Sequence, residues 1–220
     1  MNAPASTGSS LVGRMAAIVV HPSRTWTLIA AERATLGDLF KGYVAPLVAI
    51  PAVCGLVGAL VFGVGILGTT YRPPLGTALL EMLASYVLTL AGVYVLAMIV
   101  NLLALTFGGS RNETQALKLV AYSGTAAWLA GLFALYPSVG WLMGLVGGLY
   151  SLYTLYLGLP VLMKAPHERV LTYFALVLVA ALLLATFVSL VTSRIRDAGG
   201  PVLVAEAALR LAQPGPFRPA

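Results

Sequence analysis

The chain has 220 residues, 60% of them hydrophobic and 9% charged, with a net charge of +6 and a mean hydropathy of +0.94. A soluble domain of this size carries roughly 25% charged residues, so the composition excludes a surface built for water. The basic residues stand at the ends of apolar runs rather than among aromatics, which excludes a nucleic-acid face, and the single Cys54 excludes an intrachain disulfide.

Hydrocarbon demands that every backbone amide bond internally, and long unbroken runs select helices over an outer-membrane barrel. Residues 1–9 are small and polar and are expected to be disordered. Arg14 precedes an apolar run too short for a secretory signal. Ser10 is placed to cap a helix carrying Leu11, Met15, Ile18 and Val19, and Pro22 suits the first turn of a second. Over residues 10–42 these mixed helices read as interfacial or cytoplasmic, with Trp26 as an anchor at headgroup depth; a cap packed on the spans is the alternative.

The first span is expected over 43–68, where Pro46, Pro51 and five glycines predict a kinked helix packed against protein along one side. The second, 79–107, is long enough to tilt and carries Glu81 near its entrance and Asn101 near its far end, the latter read as glue between helices. The third is expected over 118–135. Just before and inside it, Asn112, Gln115, Lys118 and Tyr122 form the densest polar cluster beside hydrocarbon, which suits either a lipid headgroup or partner, or a capped helix entrance.

The fourth span, 138–163, carries Gly140, Gly144 and Gly148, with Gly147 and Ser151 extending the small face, a pattern for close helix packing against a neighbouring span. Tyr150, Tyr153 and Tyr156 then approach the charged end at Lys164. The fifth, 171–193, has few polar interruptions and is followed by a tail over 194–220 with a short amphipathic helix at 202–211 and disorder from Gln213. The class is therefore all-α: a polytopic five-transmembrane-helix bundle with N-terminal interfacial amphipathic helices.

With a cytoplasmic N-terminus, the inner segments hold Arg14, Arg24, Arg33, Lys41, Arg111, Lys118, Lys164 and Arg169, and the outer short loops only Arg72. That asymmetry sets the orientation, although Arg194 and Arg196 then fall outside against the rule.

The stretches Phe107–Gly131 and Leu149–Arg169, with His21-Pro22 leading to Trp26 and Tyr43 to Pro46, resemble the bacterial branch of the Yip family. These are five-span membrane proteins similar to the Ypt/Rab-interacting proteins. The resemblance covers residues 10–193 and implies a multi-pass protein of a bacterial inner membrane. It supplies no catalytic residues, and the long hydrophilic N-terminal domain of the Rab-associated eukaryotic relatives has no counterpart here. Ala126 stands where the pattern leads one to expect proline, so a straighter third span is expected.

Both histidines, His21 and His167, lie at aqueous edges and no acidic residues pair within a span, so an intramembrane enzyme, a metal and a cofactor are not expected. The expected function is non-catalytic: binding of lipid, chiefly anionic, or of a membrane-protein partner or second copy. The candidate binding residues are Arg111, Asn112, Gln115, Lys118, Tyr122, Lys164 and Arg169. Passive transport or translocation of an uncharged or lipidic substrate is the alternative.

Overall fold

The computed structural model describes residues 11–66 and 69–212. The expected disorder of 1–9, the cap at Ser10, the tail from Gln213 and the glycine at 68 lie outside the described residues. Two short helices, α1 (Leu11–Val20) and α2 (Pro22–Ala31), precede the bundle. The turn α3 (Leu36–Leu39) runs through a π-helical segment, Phe40–Val44, into α4 (Ala45–Val61). A small antiparallel hairpin pairs β1 (Val64–Ile66) with β2 (Thr69–Tyr71). Then come α5 (Leu75–Thr106), α6 (Glu113–Ser123), α7 (Thr125–Ala130), a 3-10 segment Gly131–Leu135, α8 (Pro137–Leu162) and α9 (His167–Ala212). The chain is an all-α polytopic membrane protein, and among the described residues five helices are long and apolar enough to cross a bilayer: Leu36–Val61, Leu75–Thr106, Glu113–Leu135, Ser138–Leu162 and His167–Ala198.

The first span begins at Leu36 and ends at Val61, not at 43 and 68. Gly63, at φ +80°, turns the chain in a conformation that glycine adopts without strain, and the apolar residues beyond it pair as strands. The π segment sits just before Pro46: Ala45 N–H bonds back to Phe40 O, one residue farther than in an α-helix. Proline cannot donate, so the preceding turn widens.

The third span is broken rather than straight, without a proline. At Gly124 the ladder opens, and Ser123 Oγ and Thr125 Oγ1 donate to the carbonyls of Val120 (3.1 Å) and Tyr122 (2.8 Å). Two residues of α8 stitch the break: Ser151 Oγ accepts from Ala127 N–H at 3.0 Å, and Thr154 Oγ1 donates to Ser123 O at 3.3 Å. Beyond it, the 3-10 segment presses on α4, Gly131 against Pro51 and the Ala134 carbonyl against Gly58. A side chain at either glycine would collide with backbone or ring.

Close packing of α8 uses only part of the expected small face, Gly140 and Gly147 but not Gly144 and Gly148. A Cβ at Gly147 would lie 2.5 Å from Ala130 Cβ and 2.8 Å from Ala126 O, and one at Gly140 would lie 2.8 Å from Phe133 O. Gly144 and Gly148 meet nothing within 4 Å. The reason is helical drift: a step of four advances by about 40°, a step of seven falls back by about 20°, so 140, 147 and 151 stay on one face.

The fifth helix does not end after Arg196. It continues through the glycine pair to Ala212, so 202–211 is its last part and not a separate helix. Arg196 pairs with Glu81 on α5, its Nε 3.2 Å from Oε2, which holds this part of α9 against its neighbour.

Candidate functional site

The polar groups of the molecule gather where α1 and α2 meet α6 and α8. Asn112 caps α6, its Oδ1 accepting from Gln115 N–H at 3.0 Å. One turn on, the side chains reach away from that helix. Gln115 Nε2 donates to Ala30 O at 3.0 Å, and Lys118 Nζ donates to Ile29 O at 2.8 Å and to Glu32 O. All three acceptors lie in the last turn of α2 or at its cap, where carbonyls lack the usual partner four residues on, and Ile29 O has only a 3.3 Å bond from the Glu32 N–H. An ammonium there also meets the negative end of the helix dipole. The cluster seen in the sequence therefore caps the C-terminus of α2.

Trp26 is not an anchor at headgroup depth. It is fully buried, its Nε1–H donates to Thr154 O at 3.1 Å, and its ring stands edge-on to Tyr122 at 6.5 Å. Gly158 makes the notch it fills: a Cβ there would lie 2.7 Å from the indole. A tryptophan beside charges suits an interface, but this one buries its N–H against a carbonyl. With Pro22 and Ile29 also buried, α2 is a cap packed on the spans.

Tyr122 is the hub. Arg14 donates to its hydroxyl at 2.9 Å and pairs with Glu32, so α1, the end of α2 and α6 are joined through one guanidinium. Burial opposes the Arg14 charge, but Tyr122 and Glu32 outweigh it and hold its pKa above the usual arginine value. The Tyr43 ring packs on Tyr122 at 4.4 Å, and Tyr43 and Thr125 share a hydrogen bond of 2.7 Å. Tyr150 completes the cap by donating to Val19 O at 2.6 Å. Sequence reasoning gave Arg14, Tyr43 and Thr125 no role in this network; a lone arginine in an otherwise apolar helix was the available signal.

The remaining three candidates are exposed and close together. Ser110 N–H donates to Met163 O at 2.8 Å, clasping the loop before α6 to the loop before α9. Gly109 lies under that carbonyl, and Gly108, at φ +76°, lies under Pro166 and the Arg169 guanidinium. The clasp sets Arg111 and Lys164, each one residue beyond it, on the same rim as Arg169. Lys118 and Tyr122 are buried and Gln115 is half-buried; Arg111, Lys164 and Arg169 face out. Asn101, expected to bond between helices, leaves its buried Oδ1 without a partner among the described residues.

Comparison with known proteins follows these features along the chain. The inner membrane protein YohC of Escherichia coli, in strain K12 and in a strain of serotype O6:H1, is 31% identical over 157 residues, covering 70% of this chain and 80% of the relative. No solved structure matches. The Yip1 domain model matches residues 16–190, from α1 through most of the fifth span, and the chain belongs to that family of membrane proteins.

Proposed function

We propose that this protein is a non-catalytic organiser of a bacterial inner membrane, holding anionic phospholipid on the basic rim of Arg111, Lys164 and Arg169. The inner-membrane relative supports the location, and the charge asymmetry of the loops supports a cytoplasmic N-terminus. The observation that carries the reading is the clasp from Ser110 to Met163. It gathers three exposed cations at one edge of the bundle while the fourth, Lys118, is consumed inside. Near an anionic leaflet each such cation contributes ~1 kcal/mol, so the three together favour anionic over uncharged lipid by roughly a hundredfold.

The test is native mass spectrometry of protein released from bilayers containing phosphatidylglycerol. The triple variant Arg111→Gln/Lys164→Gln/Arg169→Gln is expected to lose retained anionic lipid while keeping its thermal unfolding, because none of the three supports the cap. Unchanged retention overturns the proposal. A stoichiometric second protein in place of lipid would make the rim a protein-docking surface instead.

A further inference from the structure

Between the inner end of α5 and the start of α6 lies a cleft of about 340 Å³ lined by Met98, Asn101, Leu102, Arg111, Asn112 and Glu113. Its two sides differ in chemistry. Met98 and Leu102 are 48% and 53% exposed on a membrane-spanning helix, so their outer surface belongs to lipid chains. Arg111 and Glu113 stand exposed at the loop end with opposite charges and no ion pair to each other or to another described residue. Asn101 lies between, five residues before the end of α5 at Thr106, or about 7 Å along the axis. Its Oδ1 is buried and accepts nothing from the described residues, which in a spanning segment is costly.

Apolar floor, cation, carboxylate and an acceptor lacking a donor together describe one ligand. We infer that this cleft binds a phospholipid with a phosphoethanolamine headgroup, an inference that rests on the lipid-binding reading above and adds to the anionic lipid of the rim a zwitterionic neighbour that shares Arg111. The phosphate diester meets Arg111 and the amino-terminal end of α6, where the helix dipole favours an anion. The primary ammonium, with three N–H donors, meets the Glu113 carboxylate and, once the Asn101 amide rotates to turn its oxygen into the cleft it lines, supplies the donor that Asn101 lacks. The acyl chains run down the outer surface of Met98 and Leu102. A choline headgroup has the same phosphate and charge but no N–H, so it satisfies neither acceptor.

The experiment reconstitutes the full chain in nanodiscs of equal phosphatidylethanolamine, phosphatidylcholine and phosphatidylglycerol, and reads the lipid retained by native mass spectrometry. Charge-assisted hydrogen bonds to the ammonium predict ethanolamine over choline lipid by roughly tenfold or more. Asn101→Leu and Glu113→Gln are each expected to lower that ratio severalfold. Asn101→Leu exchanges an unpaired polar group in hydrocarbon for an apolar one, so the fold survives, and its unfolding temperature serves as the control. Equal retention of the two zwitterionic lipids, or an unchanged ratio in both variants, overturns the inference. Retention of phosphatidylglycerol alone overturns it too but leaves the basic-rim reading standing, and bare protein overturns both.

Discussion

The third and fifth spans are opposites. In Glu113–Leu135, 56% of the most apolar stretch is buried inside the protein and its mean hydropathy is 1.3; in His167–Ala198 the figures are 6% and 2.8. The most enclosed helix is thus the most polar. In water the order would be reversed, because burial there removes apolar surface from solvent. In a bilayer, lipid accepts apolar surface as readily as protein does, and only the protein interior supplies partners for hydroxyls, amides and charges. The side chains of Lys118, Tyr122 and Thr125 are buried where neighbouring helices bond them, and the Ser123 hydroxyl where it bonds Val120 O of its own helix. Leu182, Leu183 and Phe187 of α9 are more than half exposed because lipid suffices.

This contrast is open to three tests, the largest effect first. Trp26→Ala empties the notch over Gly158 and frees the Thr154 carbonyl; large-to-small changes at buried tryptophan cost ~3–5 kcal/mol. The cap is expected to release, seen as new protease cleavage between α2 and α4; resistance equal to wild type would mean the cap is held elsewhere. Gly147→Leu forces a side chain into the backbone of α7 and is expected to cost ~1–3 kcal/mol or more, whereas Gly144→Leu meets open space and is expected to change stability by less than ~0.5 kcal/mol. Thermal unfolding in detergent compares the pair, and equal losses would contradict the packing face. On the fifth span, a double-mutant cycle of Glu81→Gln and Arg196→Gln is expected to give a coupling of only ~0.2–1 kcal/mol, since both groups are partly exposed. A coupling several times larger would make α9 as firmly held at Arg196 as the cap is at the hub.

The five spans were legible because apolar run length against bilayer thickness is a one-dimensional property of the sequence. The rim residues Arg111, Lys164 and Arg169 could be picked out for the same reason: they flank runs. What the polar cluster does could not be read, because Gln115 and Lys118 bond to carbonyls of α2, and a backbone acceptor has no side-chain signature. Trp26 misled for a related reason. Whether a tryptophan near charges anchors at a headgroup or fills a notch depends on Gly158, over a hundred residues away. Gly147 could have been preferred over Gly144 by counting in sevens from Gly140, since Ser151 follows on the same face.

The break at Gly124 bears on how the protein is made. Ala127 N–H and Ser123 O find their partners on Ser151 and Thr154, which the ribosome adds 24 and 31 residues later. Until then the third span carries open backbone groups in hydrocarbon, each costing several kcal/mol, on top of the weakest hydropathy of the five. Its residence in the bilayer is completed by the helix that follows, so the insertion machinery meets the third and fourth spans as one hairpin cargo and not as two passengers.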